Sequence, residues 1–223
     1  MDNCVLVGEI LQGITHFGSG DEGEEIELTR NTLVSTTGPV HVYLAKAPVK
    51  SPTRIQATAN VFDAPSGLIL YQSEDFHKAL GKVPSPDELK SLARQLVTWR
   101  DRDNLYRTGG CCVQWGAYKV FDFPPRQKSP AEWNRFWNTP DGNSREGQFR
   151  YQGGNLLSRL ATAPDKITPE DFRLRPDSAG YRAGKDGKDL GADVDLVGPG
   201  AAYERWKKTP EYQQWLKETG QKK

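Results

Sequence analysis

Residues 26–35 read IELTRNTLVS, and residues 55–64 read IQATANVFDA. Each stretch is an alternating run of apolar and polar residues, then an asparagine, then a second short apolar run. Asn31 and Asn60 are 29 residues apart, and DNCVLV at residues 2–7 places Asn3 28 residues before Asn31. Each of the two later units continues into a third short run, VHVYL at 40–44 and LILYQ at 68–72. Short alternating runs bounded by turn residues predict three strands per unit.

The fold class predicted from this repeat is mainly β, a right-handed parallel β-helix (solenoid) with short helical insertions and a C-terminal helical cap. A β-rich period of about 20–50 residues is typical of repeat architectures, in which stacking builds one continuous core. We expect a structural turn ladder of Asn3, Asn31, Asn60 and Asn104, because asparagine tolerates left-handed backbone angles and stacked amides can hydrogen-bond. The alternative is an antiparallel sandwich in which the pattern is coincidental.

The predicted organisation is a partial parallel β-helix over 1–200 and a helical tail over 201–223. Helical insertions are expected near 86–95 and 130–138, where SPDE and SPAE provide a capping serine followed by proline. In the tail, Trp206, Tyr212, Trp215 and Leu216 carry much apolar area for a short helix. We therefore expect the tail to dock onto the last coil and cover its open end, with partner binding as the alternative.

Composition excludes several classes of function. Thirty Lys and Arg residues against 29 Asp and Glu residues leave no basic footprint, so no nucleic acid is expected as a partner. No segment is apolar enough to predict a membrane span, and no signal peptide is expected from the N-terminal residues. The three histidines and three cysteines lack metal-ligand spacing, so no metal and no cofactor are expected, and the cysteines are interpreted as buried thiols.

Two later segments carry a resemblance. Residues 170–178 read EDFRLRPDS and residues 184–192 read GKDGKDLGA, which resembles the closing segment of bacterial pectate-lyase-like β-helix proteins; the coils at Asn31 and Asn60 resemble the same family. The resemblance implies an extracellular or cell-surface location, and it implies that the chain is the C-terminal part of a larger bacterial protein. Some relatives in that family are modules of proteins that resemble serine/threonine kinases.

The function expected from these observations is a non-catalytic structural or carbohydrate-binding module. Its partner would be a polysaccharide or another part of a larger polypeptide. One alternative is a fragment of a polysaccharide lyase or glycoside hydrolase, with Glu74, Asp75, Asp101 and Asp103 as candidate acids. Another is a protein-interaction appendage of a kinase-like signalling protein. No catalytic residue is assigned, because spacing does not show that these acids converge.

The ligand-binding residues predicted from the sequence are Trp99, Arg100, Arg102 and Tyr106. They form a polar and aromatic cluster within the fourth unit, which on a surface would suit a sugar. The other interpretation of the same residues is a salt-bridged surface with no ligand.

Overall fold

The computed structural model describes residues 1–16, 23–46, 51–117, 123–197 and 201–219. The strands of the described residues are β1 (Val5–Gly8), β2 (Gln12–His16), β3 (Glu25–Thr29), β4 (Thr32–Ser35), β5 (Val40–Leu44), β6 (Thr53–Thr58), β7 (Val61–Asp63), β8 (Leu68–Gln72), β9 (Val97–Arg102), β10 (Leu105–Arg107), β11 (Val113–Ala117) and β12 (Arg145–Gly147). The α-helices are α1 (Glu74–Leu80), α2 (Pro86–Leu96), α3 (Pro130–Trp137), α4 (Leu156–Thr162), α5 (Ala201–Trp206) and α6 (Pro210–Thr219). Short 3-10 turns lie at Pro164–Lys166, Pro169–Phe172 and Val194–Leu196.

The strands form three parallel sheets. The five-stranded sheet has the order β1-β4-β7-β10-β12, the four-stranded sheet β11-β8-β5-β2, and the three-stranded sheet β3-β6-β9. Consecutive strands of the chain belong to different sheets, so each sheet collects one strand from each successive unit. The register follows the sequence repeat, with Ile26 opposite Ile55 and Thr32 opposite Val61.

This arrangement corrects the fold class expected from the sequence. The mainly β right-handed parallel β-helix is wrong, because the structure has three parallel sheets of three to five strands with helices in between, an α/β arrangement. Helices α1 and α2 fill the connection from β8 to β9, and α3 lies between β11 and β12. The expectation failed because the repeat covers only the first units, whereas helix-capping serines direct the later connections into helices.

The two helical insertions expected near 86–95 and 130–138 are α2 and α3. At the start of α2, the Ser85 hydroxyl accepts a hydrogen bond from the backbone N–H of Glu88, and the Glu88 carboxylate accepts one from the backbone N–H of Ser85. Ser129 accepts a hydrogen bond from the amide of Glu132 at the start of α3, and Asn138 ends α3 in a left-handed conformation. These caps satisfy backbone groups that a helix end leaves without intrahelical partners.

The main core lies between the three sheets. Leu28 and Trp99 enter it from the three-stranded sheet, Val42 from the four-stranded sheet, and Phe62 and Tyr106 from the five-stranded sheet. The Phe62 and Tyr106 rings stack with a centroid distance of 4.8 Å. Helix α3 adds an aromatic side, since the Trp133 ring meets that of Trp99 edge-on at 5.3 Å.

A second layer covers the outer face of the five-stranded sheet. Val34 packs with Tyr151, Phe172 and Leu174, and Val61 packs with Leu190. Gly191 has a φ of +86° and lies so close to the sheet that a Cβ would be 2.5 Å from the Thr32 hydroxyl oxygen. Strands β4 and β7 are therefore buried on both faces, which explains their continuous apolar runs.

The asparagine ladder has a different membership from the one expected. The Asn31 amide donates to Asn60 Oδ1 at 3.0 Å, and the Asn60 amide donates to Asn104 Oδ1 at 2.9 Å. Asn3 is not part of it, because Cys4 occupies the equivalent position and donates its backbone N–H to Asn31 Oδ1 at 2.9 Å.

The backbone explains why the register differs by one residue at Asn3. The residue before each ladder position has a positive φ, in the column Asn3, Arg30, Ala59, Asp103 and Asn143. The ladder asparagines themselves do not have a positive φ. The ladder asparagines therefore act through the hydrogen bonds of their side-chain amides. Tolerance of left-handed backbone angles, which was expected from the sequence to explain them, is needed one residue earlier.

Among the described residues, the tail lies near the β1 edge of the five-stranded sheet and not at the β12 edge, where the last coil was expected. Helix α5 contacts the turn Val194–Leu196, and the adjacent Asp193 amide donates to Asn3 Oδ1 at 2.7 Å, beside β1. Strand β1 is the edge of the five-stranded sheet opposite β12. The Trp206 ring packs against those of Tyr212 and Trp215 at 4.8 and 5.6 Å, outside the buried core clusters. The residues of the tail from 220 onward lie outside the described residues.

Two further findings concern the expectations from composition. None of the helices within the described ranges has both the length and the apolar character needed to cross a membrane. Cys111 and Cys112 are buried free thiols as expected, while Cys4 is only partly buried. Burial raises the pKa of both Cys111 and Cys112, so neither has the thiolate character of a reactive cysteine.

Candidate functional site

The four residues predicted to form a ligand-binding cluster point in opposite directions. Along β9 the side chains alternate between buried and exposed. Trp99 is fully buried, as is Tyr106 on β10. Arg100 and Arg102 face solvent on the other side of the sheet. The predicted aromatic and polar surface cluster is therefore not formed, because successive residues of a strand point to opposite faces.

Arg100 and Arg102 line a large groove over the outer face of the three-stranded sheet, which we call the arginine groove. Its volume is about 1260 Å³. Arg54 and Gln56 on β6 lie beside β9, with Arg54 opposite Thr98 and Gln56 opposite Arg100. Strand spacing and residue rise place the Cα atoms of Arg54 and Arg100 about 8 Å apart. The floor of the groove is thus a flat surface of guanidinium, amide and hydroxyl groups.

The loop at residues 138–143 forms one wall of the groove. Gly142 lies against the end of β9, where a Cβ would be 1.6 Å from the Asp101 carbonyl oxygen, so only glycine fits. The Gly142 carbonyl accepts the Asp103 N–H at 2.7 Å, and this holds the loop against the sheet. Asn143 donates to Asp103 Oδ1 at 3.0 Å. The wall is therefore attached to the sheet by both backbone and side-chain bonds.

The acids around the groove are engaged by neighbouring groups. Lys185 Nζ lies 2.7 Å from Asp103 Oδ2, and this hydrogen bond, with that from Asn143, lowers the pKa of Asp103. Glu25 accepts a hydrogen bond from the Gln56 amide at 3.0 Å. Asp101 is buried and accepts from the Tyr106 hydroxyl at 2.7 Å, and burial raises the pKa of its carboxyl.

Two arginines of the groove have no ion-pair partner among the described residues. Arg54 and Arg100 are exposed and make no salt bridge with any acid in the part of the chain that the structure describes. Arg102, by contrast, lies 3.8 Å from Asp103. Since a guanidinium presents five donors in a planar fork, Arg54 and Arg100 are available to a carboxylate from a ligand.

A second cavity of about 500 Å³ extends the groove. It shares Thr58, Arg102, Asp103, Asn143 and Lys185 with the larger cavity. Its other charged side chains are Arg30, Arg145, Asp186 and Asp189. The two cavities together form an extended track across the end of the three-stranded sheet, with cations and acids interspersed along it.

Sequence reasoning missed Arg54, Gln56, the 138–143 wall and Lys185. The alternation in TRIQAT identifies Arg54 and Gln56 as outward-facing, and the strand register places them beside Arg100. Lys185 lies 82 residues from Asp103 along the chain, and no local pattern connects the two. Only the tertiary structure brings this lysine to the groove.

The candidate acids for polysaccharide cleavage do not converge as a free pair. Glu74 lies on α1 and pairs with Lys78 at 2.8 Å, and Asp75 lies in the first turn of the same helix. Asp101 and Asp103 both border the groove but are engaged as described above. Among the described residues, no group of three or more histidines, cysteines and acids is arranged to hold a metal ion.

Comparison with known proteins identifies no relative. No protein-family model, no curated protein and no solved structure matches the chain. The resemblance to pectate-lyase-like proteins therefore stays a prediction, and the groove is interpreted from its own geometry.

Proposed function

We propose that the arginine groove binds an acidic polysaccharide and that the protein is a non-catalytic binding module. The observation that supports this proposal is the pair of exposed arginines, Arg54 and Arg100, on the floor of an extended groove. An exposed guanidinium gains from a bidentate bond to a carboxylate, which a uronic acid residue carries. The amides and hydroxyls along the groove match the hydroxyls of the same sugar residues.

The charge pattern favours a polysaccharide over a nucleic acid. Glu25, Asp103 and Asp141 lie among the cations of the groove, and a phosphate on every nucleotide would meet them. Binding of nucleic acid relies on neutralising successive phosphates, which needs a continuous basic surface. A polymer with carboxylates spaced among neutral hydroxyls can place its charges on the arginines and its hydroxyls beside the acids.

The state of the acids supports binding without cleavage. Cleavage would need a carboxyl group or base free to exchange a proton with the substrate. Asp101 is buried beneath the floor, and Asp103 is held by Lys185 and Asn143. Both acids support the walls and floor of the groove.

Titration calorimetry with polygalacturonate and alginate oligosaccharides, against neutral dextran oligosaccharides, tests this function. We expect saturable binding to an acidic oligosaccharide that weakens as salt increases, because exposed charges are screened. Replacing both arginines (Arg54→Gln and Arg100→Gln) should weaken binding about tenfold or more, since each charge-assisted hydrogen bond contributes about 1.5–3 kcal/mol. Arg126→Gln, an exposed arginine away from the groove, is the matched control and should leave affinity unchanged.

Two results would overturn the proposal. The first is the absence of binding to every acidic oligosaccharide tested, or equal binding by the wild type and the double variant. The second is the release of unsaturated or reducing ends by the wild type, which would assign the groove to a lyase or hydrolase.

A further inference from the structure

A separate pocket lies on the outer face of the five-stranded sheet, away from the arginine groove and its extension. Its volume is about 350 Å³. Asp63 ends β7 and Arg107 ends β10, and the two side chains are joined by an ion pair of 2.6 Å. The second layer closes the pocket with Arg150, Tyr151 and Arg175. We call it the Tyr151 pocket.

An antiparallel backbone pairing builds the charged side of this pocket. Tyr151 pairs with Leu174, and the Arg175 N–H donates to the Arg150 carbonyl oxygen at 2.8 Å. Arg150 and Arg175 are therefore neighbours, and both pair with one acid, Asp177, at 2.7 and 3.3 Å. With Arg107 and Asp63 the set comprises three guanidinium groups and two carboxylates. Within this set of five side chains, one positive charge is left to be matched.

The Tyr151 hydroxyl is buried at this site. Tyr151 is 5% exposed, and its hydroxyl interacts with the Asp63 carboxylate, but not in the geometry of an ordinary hydrogen bond. Burial and the neighbouring Asp63 raise the pKa of this hydroxyl, so it is protonated and can donate. Because this buried donor does not reach Asp63 in ordinary hydrogen-bond geometry, a ligand oxygen that accepts from it in better geometry has an advantage.

The remaining wall of the pocket is apolar. Val34 and Leu156 are buried at its base, and Phe149 and Leu157 are partly buried beside them. The Phe149 ring stacks with that of Tyr151 at a centroid distance of 6.2 Å. A hydrated inorganic anion would leave this wall unused, whereas a ligand with an apolar body would cover it.

The geometry points to the Tyr151 pocket as a binding site for a small monocarboxylate with an aromatic or aliphatic body. The carboxylate matches the surplus positive charge and accepts from the Tyr151 hydroxyl. The body packs against Phe149, Leu156 and Leu157. This inference is independent of the arginine groove, which lies on another sheet.

Titration of the full chain with benzoate, followed by NMR or calorimetry, tests the assignment. A ligand of this size that makes one ion pair should saturate in about the millimolar range or below. Tyr151→Phe should weaken benzoate about tenfold and leave the protein folded at the titration temperature, because the packing of the ring against Phe149 is retained. Arg175→Gln should weaken benzoate to a similar extent. Tyr43→Phe and Arg126→Gln, both away from the pocket, are the matched controls and should leave the affinity for benzoate unchanged.

Two further probes distinguish a carboxylate site from a general anion site. Benzamide has the same shape without the charge and should bind at least about tenfold more weakly than benzoate. Inorganic phosphate has charge without an apolar body and should not displace benzoate. The inference is overturned if benzoate does not saturate, if benzamide or phosphate equals it, or if neither Tyr151→Phe nor Arg175→Gln reduces affinity.

Discussion

Replacing Asn60 by alanine should be among the most destabilising single changes in the described core. Asn60 is fully buried. Its Oδ1 accepts from the backbone N–H and the amide of Asn31 at 2.9 and 3.0 Å. Its amide donates to the Leu28 carbonyl at 2.8 Å and to Asn104 Oδ1 at 2.9 Å. Alanine removes all four bonds at once.

The magnitude follows from the groups left behind. Asn104 Oδ1 keeps the bond from the Asn60 backbone N–H at 2.8 Å. The Asn31 N–H and the Leu28 carbonyl lose a partner while buried, at about 1–3 kcal/mol each. We expect a loss of about 3–5 kcal/mol in the free energy of unfolding, a large share of the stability of an ordinary domain. Urea unfolding followed by tryptophan fluorescence measures it, because Trp99 and Trp133 are buried in the main core and become exposed on unfolding.

Two variants accompany this experiment. Thr98→Ala, exposed on β9, should change stability by no more than about 0.5 kcal/mol. Asn60→Asp puts an acceptor where a donor is needed, so its carboxyl pKa should be raised in the folded state. That variant should therefore be closest to the wild type at low pH and lose stability as pH rises through the raised pKa. A loss below about 1 kcal/mol for Asn60→Ala would refute the view that the ladder carries buried, satisfied hydrogen bonds.

Four other predictions concern separate parts of the molecule. Burial raises the pKa of Asp101, so its ionisation costs stability as pH rises above about 4. Asp101→Asn should remove that pH dependence. An equal change in melting temperature between pH 4 and pH 7 for both proteins would contradict this. Gly191→Ala should cost about 2–4 kcal/mol in urea unfolding, because Gly191 combines a φ of +86° with close contact to Thr32. Ser85→Ala should cost about 1 kcal/mol through loss of the capping box of α2, measured as a shift of the urea midpoint. Trp215→Ala should cost less than about 1 kcal/mol in the same assay, since its ring packs within the tail; a loss of 3 kcal/mol would show that the tail docks on the core.

The local pattern of residues accounts for part of the fold. The alternation in IELT, IQAT and VTWR predicts strands, and their spacing predicts the parallel register of Ile26 with Ile55. Serine followed by proline predicts the start of α2 and α3. These features are local because an outward or inward side chain and a helix cap depend on neighbouring residues only.

For the arginine groove, the local sequence pattern indicates which way each side chain points but not which side chains share the groove. Arg100 and Arg102 face outward, whereas Trp99 faces the core and Tyr106 on β10 is buried. Treating the four as one surface cluster ignored the alternation of the strand. The identity of a site on a sheet depends on which strands lie beside each other, as Arg54 beside β9 shows.

The short strands, their repeat and the helix caps of this protein follow from the order of its amino acids, because each rests on contacts within a few residues or one period. Long-range packing brings residues 148–197 over the five-stranded sheet, places Cys4 and not Asn3 in the ladder, and brings Lys185 to the groove. It also decided the α/β arrangement in place of a mainly β one. These features depend on contacts between residues more than about one period apart. Hydrophobic burial, which brings such residues together, is non-directional, so a local sequence pattern does not show which partners will meet.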